Sequence, residues 1–191
     1  MPDWTYRALI AGLWLAWLAY WVVAARNGKA VQRRESSLSR ASYLVPLLVG
    51  AVLLAAQHVP LGWLSERFLP QGPAAYWTGA TLLAAGLAFS AWARHHLGHN
   101  WSGTVTLMQG HELIRTGPYR IVRHPIYTGL LTAILGTAVT LGQWRGLVAL
   151  VLFTGGILRK ISIEERLMCE IFPEQYARYS AEVPALIPLI Y

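Results

Sequence analysis

The side chains of this 191-residue protein that could do chemistry gather in two short stretches. The first runs from Gly110 to Gly129, where three arginines, two histidines and two tyrosines crowd around a Gly-Pro and a His-Pro pair. Proline is favoured at the first position of a helix because no amide donor is needed there. Pro125 therefore places His124 at the mouth of a helix, whose free amides and dipole would attract a carboxylate or similar anion. Tyr127 adds a hydroxyl donor in the first turn, and Gly129 leaves the backbone open to close approach by a ligand. The second stretch is Arg159-Lys160-Ile161-Ser162-Ile163-Glu164-Glu165-Arg166. On a helix Lys160 and Glu164 share a face, and Glu165 points about 100° away. Together the two stretches could hold a small charged molecule.

What surrounds them is apolar. Hydrophobic residues make up 55% of the chain and charged residues only 13%, against about 25% in an ordinary soluble domain. Nine tryptophans and nine tyrosines suit the aromatic belts of membrane helices. The fold expected is all-α, an integral membrane protein of about five transmembrane helices plus a cytosolic C-terminal helix, in one domain over 1–191. Within it, 1–59 supplies two N-terminal helices and 74–191 the catalytic helices and a C-terminal lid.

The apolar runs are Ala8–Ala25, Tyr43–Val59, Ala74–Ala93, Pro125–Leu141 and Gly146–Leu158, with 60–73 read as a loop and 94–124 as a polar segment. The last two runs are short for a hydrocarbon core of about 30 Å. A re-entrant hairpin would explain that; a transmembrane hairpin whose second helix continues past Arg159 and Lys160 through Glu165 explains it better. Ala84, Ala85, Gly86 and Ala88 would admit a close helix neighbour.

With the N-terminus outside, thirteen lysines and arginines lie on the cytosolic side, and Arg7, Arg67 and Arg145 on the other. That bias fits the positive-inside rule. It accounts for the net charge of +7 without nucleic acid. It also puts both polar stretches on the cytosolic face. No cleavable signal peptide or eukaryotic targeting signal is evident, which suggests a bacterial inner membrane. The single cysteine, Cys169, excludes an intrachain disulfide and is expected to be a small buried residue. His95-His96-x-x-His99 lacks acidic or thiolate partners and reads as interfacial histidines, so no metal is expected.

Gly117-Pro118-Tyr119-Arg120, Arg123-His124-Pro125-Ile126-Tyr127-Thr128-Gly129, Glu164-Glu165 and Phe172-Pro173-Glu174-Gln175-Tyr176-Ala177-Arg178-Tyr179, followed by Val183-Pro184 and Ile187-Pro188, resemble the isoprenylcysteine carboxyl methyltransferase family. The related phospholipid methyltransferases share the Arg-His-Pro and Glu-Glu elements. The resemblance covers about residues 98–188 and implies a membrane methyltransferase that uses S-adenosylmethionine, bound between the C-terminal helices. No Gly-x-Gly-x-x-Gly follows a strand-like run.

Carried over by position, the cofactor contacts are His111, Glu112, Leu113, Ile114, Tyr119, Arg123, His124, Pro125, Ile126, Tyr127, Glu164 and Glu165. Arg159, Lys160 and Glu164 would do the catalytic work, Glu164 by pairing with the cofactor's ammonium. Lys160 stands where the family has its substrate-binding arginine, and a lysine cannot grip a carboxylate in the same planar, two-pronged way.

The methyl acceptor implied is lipophilic and enters from the bilayer among membrane lipids; carboxylate, phospholipid-amine and small-thiol acceptors all remain open. Arg120 and Arg123 also read as snorkelling membrane anchors. The helix over 173–182 would close the site or lie on the membrane surface. A sterol-reductase-like enzyme using NADPH ranks lower, because Leu130 and Leu131 stand where such enzymes carry an acidic residue after Tyr-x-Gly.

Overall fold

A computed structural model describes residues 3–25, 31–34, 36–56, 60, 62–98, 101, 106–108 and 113–188. Its helices are α1 (Asp3–Ala24), α2 (Ser37–Ala55), α3 (Pro73–Leu97), α4 (Pro125–Leu141), α5 (Trp144–Ile171) and α6 (Pro173–Glu182). The helical fold is the one expected. The sequence did not suggest the short antiparallel pair β1 (Val31–Arg34) and β2 (Thr106–Met108). Four of the helices are long and apolar enough to cross a membrane, and α4, at 17 residues, is shorter.

Local chemistry sets most helix ends. Ser36 caps α2 by accepting from the Ser39 amide. Proline opens α3, α4 and α6. Gly142, at φ +60°, ends α4 in the left-handed conformation that glycine adopts without strain. The hairpin is then pinned by the 62–73 loop: Phe68 and Leu69 amides donate to the Gly142 carbonyl, and Gln143 donates to the Ser65 carbonyl.

Several boundaries differ from the apolar runs. Helix α2 begins six residues before Tyr43, because Ser36 supplies a cap upstream of the hydrophobic stretch. Helix α3 continues through Arg94 to Leu97, so the first part of the expected polar segment is helical. Arg94 is buried there, donating to the Ala24 and Gly98 carbonyls and lying over the Trp101 ring, which ties the end of α1 to the end of α3. Helix α5 runs on past Glu165 to Ile171, as the hairpin reading required. Cys169, expected to be buried, is exposed near the end of that extension.

The α3–α4 pair is the tightest contact of the bundle. A Cβ on Gly86 would sit 2.5 Å from the Gly129 carbonyl oxygen, and one on Gly129 would sit 2.5 Å from the Gly86 oxygen. Gly79 and Gly136 face each other in the same way one level further along. Gly86 was legible as a close-approach residue; Ala84, Ala85 and Ala88 instead lie on the exposed face. Gly129 is corrected too: the space beside it belongs to α3, not to a ligand.

Helix α1 lies against α3 and α4 through Tyr6, Ile10, Trp14 and Trp17, with the Trp14 indole donating to Thr137. Elsewhere Leu15, Val22, Leu48, Val52 and Val151 point outward from the bundle. In water such a surface would aggregate; in lipid it is the solvent-facing side. Gly129→Ala is expected to lower stability by roughly 1–3 kcal/mol, the usual effect of overpacking, read as a lower melting temperature in detergent with helix content retained.

Candidate active site

The site is built where α4 starts and α5 overshoots it. Because α4 is 17 residues long and α5 is 28, the last turns of α5 extend past the α4 mouth. That extension carries Lys160, Glu164 and Glu165 alongside His124. The His124 carbonyl accepts from the Tyr127 and Thr128 amides, starting the helix, and its side chain caps nothing. The imidazole is thereby left to the two carboxylates.

Its Nε2 lies 3.1 Å from Glu165 Oε1 and its Nδ1 lies 3.6 Å from Glu164 Oε2. An ionised carboxylate only accepts, so the hydrogen in the shorter contact sits on Nε2. The longer one exceeds a direct hydrogen bond. Glu164 Oε1 accepts instead from the Tyr127 hydroxyl at 2.6 Å, with Lys160 Nζ 3.9 Å away. Lys160 also lies over two rings, 5.4 Å from Tyr43 and 5.5 Å from Tyr127. Tyr127, His124, Glu164 and Lys160 thus form one polar cluster where α2, α4 and α5 meet.

Glu165 is held by a second cation. Arg123, 8% exposed, donates from Nε and Nη2 to Glu165 Oε1, each at 2.9 Å, and from Nη1 to the Ser180 and Val183 carbonyls. Every nitrogen of that guanidinium has a protein acceptor, so Arg123 is an internal clamp rather than a lipid-facing anchor. The segment after α6 runs along the same place. Arg123 and His124 amides donate to the Pro184 and Ala185 carbonyls, and the Thr128 hydroxyl donates to Leu186. Residues 183–186 are a strap across the α4 mouth, which ties α6 to the site.

Tyr119 is buried with Pro118 in the turn Gly117–Arg120, and its carbonyl accepts from the Tyr179 hydroxyl at 2.6 Å. Burial, and next the charge on Glu164, pushes the Tyr119 hydroxyl above its ordinary range. Burial also raises Tyr176, with Glu165 adding to it. The Tyr179 hydroxyl is pushed up to about 12 by burial, against the lowering pull of Arg123 and Arg115. All three hydroxyls stay protonated at physiological pH.

Of the residues singled out in the sequence, Arg123, His124, Pro125, Tyr127, Lys160, Glu164 and Glu165 come together here. Ile126 and the half-buried Leu113 and Ile114 flank the same end of the bundle. Arg159 turns away, its Nε donating to Ser42 on an exposed edge of α2. His111, Glu112 and His99 lie outside the described residues. His96 bonds Thr116 through Nε2, 2.8 Å away. Sequence reasoning missed Tyr43, 2% exposed on α2; its only signal was an aromatic at the polar end of an apolar run. It also missed the strap, whose backbone carbonyls leave no mark in side-chain types.

A model of the phospholipid methyltransferase family matches residues 74–175, just over half of the chain. The chain belongs to the phospholipid methyltransferase family. It is an integral membrane methyltransferase of that family, and the match contains Tyr119, His124, Tyr127, Lys160, Glu164 and Glu165 while excluding Tyr43 and the strap.

Protein-S-isoprenylcysteine O-methyltransferase B of Arabidopsis thaliana is 24% identical over 177 residues, 90% of this chain and 86% of its own. The protein-S-isoprenylcysteine O-methyltransferase of Schizosaccharomyces pombe is 38% identical over 82 residues, 42% of this chain and 34% of that one. Methanethiol S-methyltransferase of Pseudomonas deceptionensis is 41% identical over 71 residues, 37% of this chain and 26% of its own. The fold is similar to that of a eukaryotic intramembrane isoprenylcysteine carboxyl methyltransferase, with a TM-score of 0.53 and 23% identity over 81% of this chain and 52% of that one.

Two outcomes check this geometry. Glu165→Gln leaves the Arg123 guanidinium buried without its counter-charge and is expected to destabilise by roughly 3 kcal/mol, seen as a lower melting temperature. The bond from Tyr179 tests the raised hydroxyl. A folded value of about 12 against the ordinary 10.0 means that its stabilisation is complete below pH 10 and lost as pH rises through 12. Tyr179→Phe should remove that part of the alkaline loss in a pH-dependent melt.

Proposed function

We propose that this enzyme transfers a methyl group from S-adenosylmethionine to an anionic or deprotonatable heteroatom of a lipophilic acceptor, at the membrane end where α4 begins. The observation that carries the reading is the cluster of His124, Tyr127, Lys160 and Glu164 at an uncapped helix mouth. It offers a carboxylate, a cation and the positive end of a helix dipole side by side, which matches a donor with an ammonium and a carboxylate of its own. Glu164 would hold the ammonium, while His124 and the positive end of the α4 dipole would hold the carboxylate. His111, Glu112, Leu113, Ile114, Tyr119, Pro125 and Ile126 would complete the contacts, with Tyr119 presenting a neutral ring.

The donor supplies an electrophilic methyl on a sulfonium, and the acceptor atom attacks it in line. The protein's part is alignment and exclusion of water. Lys160 lies next to Glu164 and would orient an acceptor that bears negative charge, by attraction rather than by a two-pronged grip. That position favours a carboxylate or a thiolate over a protonated amine, in keeping with the isoprenylcysteine and methanethiol named for the relatives. Arg159, exposed and bonded to Ser42, would act only at the entrance. Arg123 and Glu165 would fix the imidazole rather than touch the donor. The excess of cations at this end supports a cytosolic site with the N-terminus outside, in a bacterial inner membrane.

Calorimetry on the purified protein tests the donor: S-adenosylmethionine and S-adenosylhomocysteine are expected to bind and NADPH is not. In Glu164→Gln the dissociation constant for S-adenosylmethionine should rise at least tenfold. Binding of NADPH alone, or a constant unchanged in the variant, would refute the reading. A labelled-methyl assay in liposomes across carboxylate, thiol and amine acceptors then ranks the acceptor classes.

A further inference from the structure

A second polar site lies at the opposite end of the bundle. The candidate active site is at the start of α4; a cavity of about 370 Å³ opens at its other end, about 25 Å away at 1.5 Å per residue. Its wall includes Arg7 from α1, Arg67 from the 62–73 loop and Arg145 from the first turn of α5. These are the three cations that the charge count sets apart from the other thirteen, and the fold brings all of them to one hollow. Among the described residues no carboxylate lines it, and none of the three is ion-paired with a described carboxylate.

Arg145 is the informative member. It is 2% exposed, donates from Nη1 to the Ala56 carbonyl, and keeps a buried Nε with no partner. A buried guanidinium without a counter-charge is costly unless something else supplies one. Arg7 adds like charge to Arg145 rather than relief.

The helix termini point the same way. Helices α3 and α5 both begin at this end, and neither Gly72 nor Gln143 supplies a side-chain cap. Their positive dipole ends therefore add to the three guanidinium groups, although Pro73 has no amide hydrogen and the Trp144 amide donates to the Glu66 carbonyl. Gln143 and Tyr76 line the cavity with further polar groups. The charged groups in the described lining are all cations, and the volume falls in the range of small-ligand sites.

We propose that this cavity binds a phosphate-class oxyanion, offered either by the headgroup of an anionic lipid or as a free ion. Guanidinium groups match the tetrahedral oxygens with paired, charge-assisted bonds. The site is separate from methyl transfer, so its test does not depend on the donor or the acceptor.

The test uses the full chain, delipidated in a neutral detergent, as wild type and as Arg7→Gln, Arg67→Gln and the double variant. These two positions are exposed, whereas loss of Arg145 would disturb the packing itself. Native mass spectrometry and thermal melts are run with phosphatidylglycerol, phosphatidylcholine and inorganic phosphate. Wild type should retain phosphatidylglycerol at least fivefold better than phosphatidylcholine and melt higher with it, and the double variant should lose that preference. Stabilisation by inorganic phosphate as well identifies a free ion as a sufficient ligand; stabilisation by the lipid alone identifies the headgroup. Equal retention of the two lipids with no effect of phosphate, or a preference unchanged in the double variant, would overturn the proposal.

Discussion

Arg123 cannot be left alone inside this bundle. A guanidinium shielded from water needs an acceptor at every nitrogen, and the chain meets that need from three directions: a carboxylate on α5, the carbonyls at the end of α6, and the strap behind it. In satisfying it, the protein fixes Glu165, and Glu165 in turn fixes the His124 ring. The imidazole then presents its other edge to Glu164. A structural requirement of one residue thus determines how its neighbour faces the site. The order of Arg123 and His124 in sequence has that physical content: one is the clamp and the other is what the clamp aims.

The bilayer divides the remaining work. Within the apolar depth, helices gain little from hydrophobic contrast with lipid, so they associate through close backbone approach; Gly79, Gly86, Gly129 and Gly136 supply it. Charge is confined to the two ends, because an exposed ion in hydrocarbon costs at least about 2.5–3.5 kcal/mol. The result is a close α3–α4 pair with a polar cluster at one end and a cavity at the other. The cluster is mixed in sign. The cavity brings three arginines together, with no carboxylate among its described lining residues. That contrast follows from helix direction as well as from side chains: α3 and α5 start at one end, α4 at the other.

Much of this could be read from residue types. The apolar runs placed α1, α3, α4 and α5, and the short run before Lys160 was understood as a helix that continues into water. His124 and Glu164 were placed on the same membrane face because a hairpin must return there. What escaped were features carried by backbone or by distant packing. The α2 start depends on a serine cap outside the hydrophobic run. The strap works through carbonyls, which every residue has. Gly129 suggested ligand access because a missing side chain does not say what fills the gap. Arg159 looked equivalent to Lys160 in sequence, yet one helical step turns it toward Ser42 instead of Glu164. Tyr43 lies 81 residues or more from every member of the cluster it joins, beyond the reach of any local pattern.

The clamp itself is open to a direct measurement: a double-mutant cycle on Arg123→Met and Glu165→Met, followed by melting temperature in detergent. If the pair is what holds the α4 mouth to α5 and α6, each single change strands a buried charge or its acceptors, while the double change removes both charges together. The double variant should then melt higher than either single one, close to the wild type. Simple additivity of the two losses would mean that these side chains do not depend on each other, and the site as described here would not hold together.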